Sequence, residues 1–199
     1  MPNPYTRLGN RAGLITAFAM IGSLIMFGWL TYHGAPLKPG TSAPFCGILA
    51  LELSFSKDRT NSVLMNWKKP LPGDPTTTLT TLAIHDIYWD FLFIAFYASA
   101  IALLCGRAAT RHTGGWAAIL LILAWAQPLA AVLDIIENWG MLIMLRDGSV
   151  DSSQWPFITT ISAATKFVLI GTGLLAAFIS LICSRWNKHS RLPIDKRSR

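Results

Sequence analysis

Four long stretches of this chain carry almost no charge, and nothing else in the sequence constrains its fold as tightly. A helix needs about 20 mainly apolar residues to cross a hydrocarbon layer of roughly 30 Å. Gly13 to Tyr32 qualifies without a single charge, and Ile87 to Cys105 qualifies around one acid, Asp90. The third stretch starts at Gly115, runs to about residue 135, and turns apolar again from Trp139 to Leu145. Phe157 to Cys183 is the fourth and contains Lys166. Hydrocarbon offers the backbone no hydrogen-bond partners, so each crossing must be a helix. The expected fold class is an all-α membrane protein: four transmembrane helices with a short extracytoplasmic helical cap. One membrane domain covers residues 1–183, and a basic tail covers 184–199.

Composition supports lipid as the solvent. Charged residues make up 14% of the chain against roughly 25% in ordinary soluble domains. The first stretch follows Arg7 and Arg11, as a signal peptide would, but it is longer than a signal core of about 7 to 15 residues. The following Tyr32-His33-Gly34-Ala35-Pro36 is a poor cleavage site, so an uncleaved first span is expected.

Orientation follows from the basic residues flanking the spans. An N-terminus inside puts Arg7, Arg11, Arg107, Arg111 and the tail's Arg185, Lys188, Arg191, Lys196, Arg197 and Arg199 in the cytoplasm. Lys38, Lys57, Arg59, Lys68, Lys69 and Arg146 then lie outside, mostly on a long loop that counts little. Of the 10 acids only Asp195 falls inside. Each tail cation near an anionic leaflet contributes about 1 kcal/mol of attraction. No recognition motif accompanies the basic residues, so nucleic acid is not an expected partner. The 3 cysteines form no CxxC: Cys46 falls outside, and Cys105 and Cys183 at the cytoplasmic ends of spans.

The outer loop, residues 33–82, has its own organisation. Phe45 to Phe55 is apolar except for Glu52 and too short to cross, so it is expected at the interface or re-entrant. Ser56 is placed to cap a helix from Lys57 to Trp67, with Val63, Leu64 and Trp67 on one face. Pro70, Pro72, Gly73 and Pro75 end it, and a Thr-rich linker from Thr76 to Thr81 leads to the second span. Gly115 to Leu145 would measure about 46 Å as a helix, longer than the hydrocarbon is thick. Its far end is therefore expected to emerge and form an outer apolar cap with the loop. Pro128 in mid-span permits a kink.

The candidate functional residues are ionisable groups within the spans. Counted from the cytoplasmic ends, Asp90, Lys166 and Asp134 lie about 22, 26 and 28 Å up, level with one another in the outer third. Asp86 shares a face with Asp90 at i, i+4, and Tyr97 follows seven residues on. Asp134 is joined by Glu137 and Asn138, with Gln127 two turns before it, and Ser162 sits one turn from Lys166. Glu52 and His85 are candidates to join from the loop side. A charge facing lipid costs at least ~2.5–3.5 kcal/mol, so these groups are expected to converge inside the bundle.

Two uses fit such a cluster. It fixes helix register through ion pairs, or it binds a small ligand or a cation. An enzyme acting on a lipid-like substrate, or an ion- or proton-coupled carrier, would use the same residues. His85, Asp86, Asp90 and Glu137 are metal-ligand types but follow no metal-binding spacing, so neither a metal nor a cofactor is expected. No GxSxG element supports a nucleophile, and a non-enzymatic role is expected. His33 and His112 flank spans and read as ordinary interfacial residues. Tryptophans cluster near span ends, as interface belts do, except Trp125. The lipid bilayer is the one partner the sequence demands; a membrane-protein partner or a second copy of the chain stays open.

Leu51-Glu52-Leu53, the helix ending in Trp67, Asp90-Phe91-Leu92-Phe93 and Asp134-Ile135-Ile136-Glu137-Asn138 occur in an order that resembles a group of four-span bacterial membrane proteins. The resemblance covers about half of the chain through short motifs. It implies the topology and the cluster and no activity; the expected location is a bacterial inner (plasma) membrane.

Overall fold

The computed structural model describes residues 1–37 and 47–189, with side chains as far as Cys183. Cys46 and most of the basic tail lie outside the described residues. Among the described residues four helices are long and apolar enough to cross a membrane, and the chain is an all-α, multi-pass membrane protein. A short helix α1 (Pro4–Arg7) and a 3-10 turn precede α2 (Ala12–His33). The loop between the first two spans holds α3 (Leu49–Glu52), α4 (Lys57–Trp67) and a hairpin of β1 (Pro70–Leu71) and β2 (Asp74–Thr78). Then come α5 (Leu79–Ala109), α6 (Gly114–Asp147) and α7 (Trp155–His189).

The helices outrun their apolar cores. The second stretch, read from Ile87 to Cys105, is the middle of a helix that starts at Leu79, where the Thr78 hydroxyl accepts from Thr81 N at 3.2 Å. Hydropathy marks only the part that meets lipid, whereas hydrogen bonding and cap packing carry the helix further. Part of the expected Thr-rich linker is therefore strand and part is helix. In the hairpin turn Asp74 accepts from the Thr76 hydroxyl at 2.6 Å and the Thr76 amide at 2.9 Å. Those bonds, the hydroxyl's first, hold its carboxyl down at about 2.

α6 is one continuous helix of 34 residues, about 51 Å long, and it passes Pro128 without interruption. Its far end emerges into the cap. Met141, Met144 and Leu145 pack with Leu51 of α3, Val63, Leu64 and Trp67 of α4, and Leu79 and Leu82 of α5. Trp67 is fully buried there. α4 has the bounds that Ser56 announces, with the Ser56 hydroxyl accepting from Arg59 N at 3.3 Å. The loop after α6 is tied to α4: Asn61 donates to Asp151 at 2.7 Å and accepts from Val150 N at 3.0 Å. Gly148, at φ 69°, closes α6 in the left-handed conformation that costs glycine least.

α5 is the hub, packed against α2, α6 and α7, and α6 packs along α7. Two glycines permit the close approaches. A Cβ on Gly140 would lie 2.6 Å from Thr159 and Trp155 of α7, and one on Gly173 would lie 2.7 Å from Gln127 of α6. The outward faces carry Leu14, Phe18, Leu24, Phe27, Val132, Phe178 and other exposed apolar residues. In water such a belt would drive aggregation, while in lipid it is solvated. At the end opposite the cap, Asn3 donates to Gly106 O at 2.9 Å and Trp125 to Pro2 O at 2.9 Å. His112 pairs there with Ser180 at 2.6 Å, a side-chain contact between α5's end and α7.

Candidate functional site

Lys166 is 4% exposed, on the face of α7 turned towards α6. Its Nζ donates to Asp134 Oδ1 at 2.5 Å and lies 2.9 Å from Glu137 Oε2 and 3.7 Å from Glu52 Oε2. Asp134 and Glu137 are three apart on α6, which places both carboxyls on one face one turn apart. The second oxygen of Asp134 accepts from the Tyr97 hydroxyl at 2.7 Å, so α5 is tied into the same centre. One turn up α6, Asn138 Nδ2 donates to Asp90 Oδ2 at 2.7 Å. Asp134 and Lys166 are thus in direct contact between α6 and α7, while Asp90 of α5 reaches α6 one turn further on, through Asn138.

Glu52 arrives from outside the bundle. Thr160 of α7 donates to Glu52 O at 3.1 Å and accepts from Phe55 N at 3.4 Å. One hydroxyl thereby pins both sides of the turn after α3 onto the helix that carries Lys166. Phe55 takes φ 59°, unusual for a residue with a Cβ, and this bend returns the chain to α4. Burial pushes the Glu52 carboxyl above its usual range, reinforced by Asp134. Lys166 opposes that shift without cancelling it.

The carboxyl oxygens are not evenly served. Glu137 is wholly buried, yet neither of its oxygens has a well-directed hydrogen bond, and Glu52 Oε2 also lacks one. Glu137 Oε2 sits within ion-pair distance of Lys166 all the same, so what it lacks is direction rather than proximity. Gln127 lies two turns below, its amide nitrogen donating to Leu123 O and Leu169 O at 3.1 and 3.2 Å. Its side-chain oxygen has no partner either. Ser162 is buried one turn from Lys166.

Asp86 does not belong to this centre, although the i, i+4 spacing put it on the face of Asp90. It is buried against α2, where its Oδ1 pairs with His33 Nδ1. His33 is accordingly more than an interfacial histidine. It is half-buried, stacked on Trp29 with ring centroids 5.3 Å apart, and 5.2 Å from the His85 ring. His85 joins this second group rather than the Lys166 centre, and Trp89 Nε1 donates to its Nε2 at 3.4 Å. Sequence reasoning missed the pairing because it depends on how α2 is rotated against α5. The available signal was two histidines and an acid at the same ends of consecutive spans.

A groove of about 540 Å³ opens sideways between the N-terminal segment, α5 and α6, lined by Pro4, Leu8, Ile94, Ala98, Pro128 and Ala131 among others. Its lining holds no titratable side chain. No family model, no curated protein and no solved structure matches this chain.

Proposed function

We propose that this is a non-enzymatic membrane protein whose Lys166 centre takes up a proton or a small cation. The observation that carries the reading is an imbalance. One buried ammonium faces Glu52, Asp134 and Glu137, Asp90 is close by, and the oxygens of Glu137 have no aligned donor. Unneutralised buried charge costs several kcal/mol per ion, so the spare carboxylates call for a proton or cation among them. Intramembrane carboxylates with oxygens to spare are the usual means of binding either. The basic residues around the short connections support an N-terminus and C-terminus in the cytoplasm. The cap and the centre would then face outward.

Melting of the purified protein in detergent tests this reading. With ionic strength held constant, the melting temperature is followed against Na⁺, K⁺, Ca²⁺ and pH. The expected result is a saturable rise with one of these cations or with acid, lost in Glu137→Gln. A wild-type melting temperature indifferent to all of them would mean a closed ion-pair network and would sink the reading.

A further inference from the structure

Outside the Lys166 centre, the described residues bring one other group of chemically matched side chains together. His33 ends α2, while His85 and Asp86 are consecutive on α5. One ligand atom from each lies within 4.8 Å of the other two. We propose that His33, His85 and Asp86 form a three-ligand site for a divalent transition-metal ion of the zinc class.

The donor set selects the ion. Imidazole nitrogens suit zinc, copper and nickel, whereas calcium and magnesium prefer oxygen shells. Two histidines and one carboxylate make the ligand set of an open zinc site, in which a fourth position is left to water or a further ligand. Tetrahedral coordination needs donors roughly 3.3 Å apart, given metal–ligand bonds of about 2.0–2.1 Å. The three ligand atoms lie within 4.8 Å of one another, about 1.5 Å beyond that spacing at most. Asp86 Oδ1 and His33 Nδ1 already meet, so two of the three ligand atoms face one point before any ion arrives.

The surroundings suit a built site. Asp86 is buried, and Gly34 leaves room for it: a Cβ there would lie 3.0 Å from Asp86 Oδ2. Trp29 stacks on His33 at an interplanar angle of 15°, which fixes that ring's plane. Trp89 stands edge-on to His85, with centroids 6.1 Å apart. The contact from Trp89 Nε1 to His85 Nε2 is long at 3.4 Å, so coordination through that nitrogen gives up little. His85 is exposed, which leaves the ion a way in. The sequence shows no metal spacing because the ligands come from two helices separated by the whole outer loop.

The test uses untagged full-length protein in detergent. Zn²⁺ is titrated in competition with a chromophoric chelator, and Co²⁺ serves as the spectroscopic probe. Expected are one Zn²⁺ per chain, a visible Co²⁺ spectrum of tetrahedral intensity, and quenching of tryptophan fluorescence by Cu²⁺. His85→Ala should weaken Zn²⁺ binding at least ~10–100-fold, the range that even indirect ligand supports command. Because His85 is exposed, its melting temperature without metal should match wild type, which separates lost binding from lost fold. Glu137→Gln should keep Zn²⁺ binding, so failure of the Lys166 reading would leave this one standing. The proposal is overturned by a wild type that binds no Zn²⁺ at ~100 μM, by undiminished binding in His85→Ala, or by binding that Glu137→Gln removes instead.

Discussion

Asp86 and Asp90 stand one turn apart on α5, and the structure sends them to opposite kinds of site. Asp90 belongs with a sealed centre, where a lysine, an amide, a phenol and further carboxyls meet under a protein cap. Asp86 belongs to an open one, with two imidazoles and two indoles at the rim of the bundle. Helical spacing decides which residues share a face. The neighbouring helix decides what that face meets: α6 with Asn138 for Asp90, α2 with His33 for Asp86. The surroundings then set the energetics: Glu52, Asp134, Glu137 and Lys166 are all buried together, whereas buried Asp86 has half-buried His33 and exposed His85 beside it.

Lys166→Met is the strongest way to break this contrast. Removing the one cation leaves several buried carboxyls without a counter-charge, and the expected loss is about 3–5 kcal/mol, read as a large fall in melting temperature in detergent. An unchanged melting temperature would mean that water reaches the centre and that it is not sealed.

Glu52→Gln sharpens the contrast through pH. The folded carboxyl titrates above its ordinary value of 4.5, so folding takes up a proton between the two values. The stability that Glu52 contributes is therefore fully present below 4.5 and is lost as pH rises through the folded value. The slope from one group is at most about 1.4 kcal/mol per pH unit. Wild-type melting temperatures should fall along that window, and the glutamine variant should show a flatter profile at constant salt. Equal slopes would place Glu52 in water.

The smallest effect is expected at the open site. His33→Phe keeps the ring stacked on Trp29 and removes only the bond to Asp86. The predicted cost is about 1 kcal/mol in metal-free protein, the low end for a buried acceptor that loses its donor, because half-buried His33 and exposed His85 border the Asp86 carboxyl. A loss equal to that of Lys166→Met would show the two sites to be equally dry and end the comparison.

Much of this arrangement was legible in the sequence. Four spans follow from apolar length, and the level placement of Asp90, Asp134 and Lys166 follows from a fixed rise per residue. Ser56 and Trp67 bracket α4 because a cap and a proline-rich stop are local signals. The long end of α6 reached the cap because its second apolar run exceeded what lipid can cover. What stayed hidden depends on rotation and on chain return. The partner of Asp86 is set by the azimuth of α2, which its nearly uniform apolar surface does not encode. The short hairpin from Pro70 to Thr78 lay beneath a run of prolines and threonines that reads as linker. Glu52 was expected as a candidate, but the Thr160 hydroxyl that delivers it had no signature of its own.

The contact between Lys166 and Asp134 bears on how the chain enters the membrane. A lysine arriving alone in α7 would meet an insertion cost of roughly 2.5–3.5 kcal/mol. Its counter-charge sits in the span made just before, across a connection of only a few residues. The last two spans are thus suited to leave the translocation machinery together as a helical hairpin, with the charges already joined. The loop carrying Glu52 precedes both in the chain. The final helix can complete the centre as it arrives, so the order of synthesis matches the order in which the charges need each other.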